Sequence, residues 1–236
     1  MKLILKILRR INAEAEPCWQ SVPFETDDES ETVATALAAI CDDGHFLDTA
    51  GHAVGVIRWE HSCLQKKCGA CAMVIDGRPR LACDAFLREF SRKGTVSIEP
   101  LRKFPVVADL IVDRSILYEN LKVIKAWMHG DAASTGKTED RDLAFEASRC
   151  LLCGCCLEVC PNFAPGERFF GAASFSIVSR LLLELPEESR KELRKTYMRH
   201  IYAGCGKSLA CRDVCPAGID TERLLSRSNA VALFRR

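Results

Sequence analysis

The sequence predicts an α+β chain built in two parts, a strand-and-turn part over residues 1–105 and an all-helical part over residues 106–236. Three observations carry this expectation. Upstream of Glu99–Pro105 (EPLRKFP) the apolar residues come in short runs separated by turn residues. Downstream they recur at the three- and four-residue spacing of helices that bury one face. The cysteines divide at the same point, into one loop spaced C-x4-C-x2-C-x11-C before it and two runs, C-x2-C-x2-C-x3-C-P and C-x5-C-x3-C-P, after it.

In order, residues 2–8 and 19–24 read as two short strands. An acidic loop, Glu25–Glu31, leads to Thr32, and Thr32–Cys41 (TVATALAAIC) has a capping residue followed by an alanine-rich helical pattern. Val54–Trp59 reads as a strand leading into the first cysteine loop. Met73–Ile75, Asp76-Gly77 and Leu81–Cys83 read as strand, tight turn and strand. Past the boundary, Val106–Val112 and Ile116–Met128 read as helices, the second with Leu117, Leu121, Ile124 and Trp127 or Met128 on one face. The polar link His129–Asp140 contains Gly136-Lys137-Thr138. Gly130 lies one residue too far upstream for a phosphate-binding GxxxxGK(S/T) loop, and a helix precedes it where a strand is needed, so that motif is rejected. Arg141–Arg149, Phe169–Leu185 and Glu187–Ile201 read as helices; the last has Glu187 and Lys191 at i,i+4 spacing and basic residues towards its end.

The first cysteine loop, Cys63–Cys83, places Cys63, Cys68 and Cys71 at the spacing of the plant-type ferredoxin loop, whose four thiolates hold a [2Fe–2S] cluster. Gly69 and Ala70 are small enough for the backbone to close around it, and the hairpin returns Cys83 as the fourth ligand. Four thiolates also suit zinc, but zinc sites commonly pair two C-x2-C units, and the C-x4-C opening is unusual for them.

The second run, Cys150–Pro161 (CLLCGCCLEVCP), has the spacing of bacterial ferredoxins. Three of its cysteines hold three corners of one cubane, and the fourth, before the proline, serves a second cluster. The partner run is Cys205–Pro216 (CGKSLACRDVCP). Read crosswise, Cys150, Cys153, Cys156 and the remote Cys215 complete a [4Fe–4S] cluster. Cys205, Cys211 and the remote Cys160 supply only three thiolates, because Ser208 stands where the fourth would be. A hydroxyl is a harder and far less acidic ligand than a thiol, so three thiolates and an open corner suit a [3Fe–4S] cluster.

Composition narrows the class. A chain of 236 residues with 14 cysteines and net charge +1 is too long for a small disulfide scaffold. MKLILKILRR lacks a small-residue cleavage site and reads as a first strand. The longest uncharged stretch, Phe169–Ser179, falls well short of the roughly 20 residues of a membrane span. From Glu187 to the end, 11 Lys/Arg face 6 Asp/Glu, a basic segment that would suit an acidic partner or an anionic membrane surface and reads first as a solvated face. The expectation is a soluble, cytoplasmic, thiol-rich metalloprotein that binds no nucleic acid.

The order of these motifs resembles the iron–sulfur subunit of succinate dehydrogenases and fumarate reductases. So do Phe104-Pro105-Val106 with Asp109–Asp113 (DLIVD), and Gly171-Ala172-Ala173. The resemblance implies a ferredoxin-like β-grasp domain holding [2Fe–2S] through Cys63, Cys68, Cys71 and Cys83, then a bacterial-ferredoxin-like helical domain holding [4Fe–4S] and [3Fe–4S]. It implies an FAD-containing flavoprotein subunit where succinate and fumarate interconvert, a membrane-anchor subunit and a quinone. The chain would then be peripheral, on the cytoplasmic side of the inner membrane, with no catalytic residue of its own. Cys18 and Cys41 are read as buried small residues, Cys155 as a filler in the cluster helix, and His45, His52, His61, His129 and His200 as structural or surface residues.

Ubiquinone-reducing members of that family carry a Trp shortly after the cubane Cys-Pro and a His directly after the first cysteine of the last motif. Here Asn162–Gly166 (NFAPG) and Gly206 occupy those places, so the resemblance favours a menaquinone-type partner. The alternative is an iron–sulfur subunit of another flavoprotein reductase or dehydrogenase that uses a soluble electron partner.

Overall fold

The computed structural model describes residues 1–127 and 138–234, which divide into two compact units, Met1–Asp113 and Arg114–Arg236. In the first, strand β1 (Lys2–Arg9) alternates its side chains, so that Leu3, Leu5 and Ile7 are buried. It pairs antiparallel with β2 (Cys18–Glu25), from Lys2 opposite Glu25 to Arg9 opposite Cys18. On its other side it pairs parallel with β5 (Thr95–Glu99), a strand the sequence reading did not single out. Then come β3 (Ala72–Ile75) and β4 (Arg78–Leu81), giving the order β2-β1-β5-β3-β4.

Helix α1 (Val33–Asp43) buries Val33, Leu37 and Ile40 and packs against the turn Ala82–Asp84 that follows β4. Thr32 and Thr35 form a reciprocal cap, each side chain accepting the other's backbone N–H, and left-handed Gly44 (φ 66°) ends the helix. Asp76 and Gly77, at φ 50° and 79°, make the two-residue turn with both positions left-handed that a tight hairpin prefers. The return strand therefore starts at once, at Arg78. It is spent by Leu81, so Cys83 lies in a 3-10 turn (Ala82–Asp84) and not in the strand expected over Leu81–Cys83.

Two further expectations in this unit are corrected. Val54–Trp59 pairs with no neighbouring strand. Its backbone makes only scattered main-chain bonds, Val54 N to Phe46 O and Leu110 N to Arg58 O, and is held largely by side chains: the Arg9 guanidinium donates to the carbonyls of Val54 and Val56 at 3.0 and 2.8 Å, and Arg58 N donates to Asp109 Oδ2 at 2.9 Å. Val106–Val112 is not a helix but a small hairpin, β6 (Val106–Ala108) and β7 (Ile111–Val112). β-Branched residues line it, and Asp109 turns it in a left-handed conformation (φ 45°).

The second unit is helical: α2 (Ser115–Val123), α3 (Thr138–Ser148), α4 (Cys155–Glu158), α5 (Gly171–Glu184), α6 (Glu187–His200), α7 (Ala210–Asp213) and α8 (Thr221–Phe234). Helix α2 ends before the expected Met128, closed by a Schellman motif. Lys125 is left-handed (φ 51°), its N–H reaches Lys122 O at 3.0 Å, and Ala126 N–H reaches Leu121 O at 2.9 Å. Met128 and most of the link His129–Asp140, with Gly136-Lys137, lie outside the described residues.

The core joins Ile124, Leu143, Phe175, Leu182, Tyr197 and Leu224, and Tyr197 Oη donates to Asn229 Oδ1 at 2.7 Å. Gly171, at φ 73°, starts α5 hard against α4: a Cβ there would collide with the Leu157 side chain. Glu187 bonds Arg194, one helical turn beyond the Lys191 expected from spacing. Cys150, Cys156, Cys205, Cys211 and Cys215 pack along the edge of this core, so their sulfurs sit where water is partly excluded.

Candidate iron–sulfur centres

In the first unit, Cys63, Cys68 and Cys71 lie on the loop entering β3 and Cys83 on the turn leaving β4. The hairpin closes the set: the Cys71 thiol donates to Cys83 Sγ at 3.5 Å, and the Cys63 and Cys68 side chains are also hydrogen-bonded. Backbone N–H groups converge on the sulfurs. Gln65 and Lys67 donate to Cys63 Sγ at 3.3 and 3.4 Å, and Lys66 donates to Cys83 Sγ at 3.3 Å. Left-handed Leu64, Lys66 and Gly69 (φ 50°, 59° and 78°) curl the loop so that its amides face inward, a concavity suited to anionic sulfur. Those amides bring the Cys63 thiol down to about 7, whereas burial pushes Cys71 up to about 12.

The helical unit has two cavities at its cysteine runs. Cys150, Cys153, Cys156 and Cys215 line one. Cys160, Cys205, Cys211 and Ser208 line the other. Ala172, Cys211 and Thr221 belong to both, so the two spaces are neighbours across a thin wall. The loops are shaped as in the first unit: Leu152 and Gly154 are left-handed in one, and Lys207 and Leu209, on either side of Ser208, in the other. Of the eight non-glycine residues at positive φ among the described residues, five lie in these cysteine loops. Each costs about 1 kcal/mol or more, so the strain is concentrated where the sulfurs are.

The thiols of the first cavity are set apart by their surroundings. Burial pushes Cys150 up to about 11 and raises Cys156 as well. Cys153 is held down to about 7, first by a hydrogen bond with the Cys155 side chain, with the Arg114 guanidinium adding to it. Cys155 is fully buried and lies outside both cavity linings, which agrees with a filler that also touches a neighbouring sulfur. Sequence reasoning singled out neither Arg114 nor Thr221. Arg114 follows Asp113 with no cysteine near it in sequence, and a threonine opening a helix reads as a cap.

Two leftover cysteines differ from expectation. Cys18 is exposed, at the start of edge strand β2 and ahead of its first core residue, Val22. Cys41 is half-buried and donates to Ile57 O at 3.4 Å. The histidines keep to structural or surface places: His61 packs on Trp59, His200 stacks on Phe170 with Nδ1 bonded to Arg168 O at 2.8 Å, and His45 and His52 are exposed. His129 lies outside the described residues.

The residues present fit iron–sulfur clusters. The donors are soft thiols, backbone amides point at sulfur in the first loop, and paired cavities stand beside the two later runs. Among the described residues no three Cys, His, Asp or Glu converge closely enough to hold a single metal ion; in the helical unit the cysteines stand instead along cavity walls.

Comparison with known proteins agrees. Residues 4–119 match a 2Fe-2S iron–sulfur cluster binding domain and residues 146–219 a 4Fe-4S dicluster domain. The succinate dehydrogenase iron–sulfur subunit of Bacillus subtilis is 35% identical over 182 residues, 73% of this chain and 71% of the relative. The chain belongs to the iron–sulfur subunits of succinate dehydrogenases and fumarate reductases. The fumarate reductase iron–sulfur subunit of Haemophilus influenzae is 31% identical over 181 residues, covering 69% of each chain. A chain of the Mycobacterium smegmatis Sdh1 complex in the apo form shares the fold, with a TM-score of 0.74 at 24% identity, over 97% of this chain and 95% of that one. As a member of this family, the chain is an electron-transfer subunit of an oxidoreductase complex, with a β-rich [2Fe–2S] domain followed by an all-α [4Fe–4S] domain.

Proposed function

We propose that this subunit relays single electrons through three clusters between an FAD-containing flavoprotein subunit, where succinate and fumarate interconvert, and a quinone at a membrane-anchor subunit. The clusters supply the redox chemistry; this chain's residues hold them in order and keep water from them. The proposed ligands are Cys63, Cys68, Cys71 and Cys83 for [2Fe–2S], Cys150, Cys153, Cys156 and Cys215 for [4Fe–4S], and Cys160, Cys205 and Cys211 for [3Fe–4S], with its open corner at Ser208. The observation that carries this reading is the crosswise lining of the two cavities, in which Cys215 joins the first run and Cys160 the second. Anaerobically purified protein is expected to hold about nine irons per chain, one cluster of each kind, with negligible zinc. A reproducible tenth iron would count against the open corner.

The proposed terminal cluster is [3Fe–4S], and a menaquinone-type partner is favoured. Supporting this, Gly206 and Asn162, the latter from the segment Asn162–Gly166, belong to the two stretches that depart from the ubiquinone-type pattern, and both line the same cavity. A Cβ at 206 would meet Asn162 Oδ1 at 2.8 Å, so a larger residue there requires Asn162 to move. No helix among the described residues is long and apolar enough to cross a membrane, which is consistent with a peripheral place in the complex. Reconstituted complex is expected to work better with reduced menaquinone analogues than with ubiquinone analogues. Equal or better activity with ubiquinone overturns the quinone assignment, and activity with neither, despite intact clusters, favours a soluble electron partner.

A further inference from the structure

Thr221 is buried, 4% exposed, and lies in the wall shared by both cavities. Its Oγ1 is 3.4 Å from Cys211 Sγ. An iron-bound thiolate carries no proton, so in the loaded protein only the hydroxyl can donate. The threonine is held to this task by its neighbours. Asp220 caps the start of α8, accepting from Arg223 N at 3.1 Å, and its own backbone N–H donates to the Glu146 carboxylate. Thr221 N in turn donates to Ile219 O at 2.9 Å. A β-branched side chain at a position fixed in this way has few rotamers to choose from.

Building on the three-cluster reading, we propose that Thr221 is a positioning residue that raises the reduction potential of the third cluster by donating its hydroxyl to the Cys211 thiolate. Hydrogen bonds to ligand sulfur tune the potential of such a cluster, because they favour whichever state carries more negative charge on sulfur. The one-electron reduced state carries one more negative charge than the oxidised state, so the donor stabilises it more. Thr221 keeps its proton in both states. One electron enters from the preceding centre, one leaves to the acceptor, and no bond to Thr221 forms or breaks.

The test is an EPR-monitored redox titration of the oxidised [3Fe–4S] signal in the cluster-loaded complex, with the [2Fe–2S] centre of the other unit as an internal reference. Thr221→Val keeps the shape and removes the hydroxyl. It is expected to lower the potential by about a tenfold change in the one-electron equilibrium, about 59 mV. Thr221→Ser keeps the hydroxyl and is expected to titrate like the unsubstituted protein. An unchanged potential in Thr221→Val overturns the inference, as does a Thr221→Ser shift as large as that of Thr221→Val, since packing and not the hydroxyl would then be responsible. If Thr221→Val does not load, comparing Thr221→Ser with Thr221→Ala decides by the same criterion. Absence of a [3Fe–4S] signal in the unsubstituted protein is a different failure: it defeats the third-cluster reading and this inference with it.

Discussion

At position 208 a hydroxyl stands where the spacing of the cubane run would place a thiol, on a loop whose flanking residues, Lys207 and Leu209, are both left-handed. Ser208 lines the same cavity as Cys160, Cys205 and Cys211, so a thiol at that position would face the same space. Ser208→Cys is expected to admit a fourth iron, abolish the oxidised [3Fe–4S] EPR signal and lower that centre's potential; an unchanged signal contradicts the open-corner assignment. The thiols also predict how loading depends on pH. Cys63 and Cys153, held at about 7, ionise across the neutral range, while Cys71 and Cys150, at about 12 and 11, keep their protons until iron displaces them. Iron binding to the apo chain must therefore release protons, and anaerobic reconstitution is expected to load more fully at pH 8.5 than at pH 6. A yield that is flat or falls across that interval would run opposite to these shifts.

Among the elements, the β6–β7 hairpin shows a side chain overriding local pattern. Asp109, 1% exposed, accepts from Arg9 Nε at 3.0 Å, Arg10 N at 2.9 Å and Arg58 N at 2.9 Å. Three segments far apart in sequence thereby meet on one carboxylate. Removing one partner of a buried, hydrogen-bonded charge pair typically costs 3–5 kcal/mol, so Asp109→Ala is expected to destabilise the protein by about that much. Urea denaturation of loaded protein, followed by loss of cluster absorbance, measures it; a change below about 1 kcal/mol would mean the carboxylate is not holding the segments together. The Schellman end of α2 predicts the opposite sign. Lys125 is left-handed where glycine is preferred, and Lys125→Gly is expected to be neutral or stabilising by up to about 1 kcal/mol in the same assay.

For the whole molecule, the two units divide the work of a relay: one holds a loop for a single binuclear centre, the other two neighbouring cavities. Among the described residues, the two cavities beside the cysteines are lined by no histidine, aspartate or glutamate. The purified chain alone is therefore expected not to turn over succinate or fumarate with any mediator, and to support turnover only when joined to its flavoprotein partner. Dicarboxylate turnover by the single chain would place the active site here and defeat the subunit assignment.

Cysteine spacing by itself determined the kind of cofactor, because cluster ligation demands particular thiols at particular separations and few other sites share that demand. Alternation and capping likewise determined β1, β2 and α1, where period-two burial and Thr32 leave little competition. Tertiary contact decided the rest. Val106–Val112 and Val54–Trp59 carry apolar patterns that suit more than one structure, and the Asp109 and Arg9 side chains chose between them by bonding the backbone directly. Strand β5 became visible only through its partners, and α2 stopped at a lysine because a left-handed turn closed its carbonyls there. Thr221 and Arg114 could not be found from sequence at all. A hydroxyl or a guanidinium acquires a role toward sulfur only when folding brings it close, and nothing in the local chain records that approach.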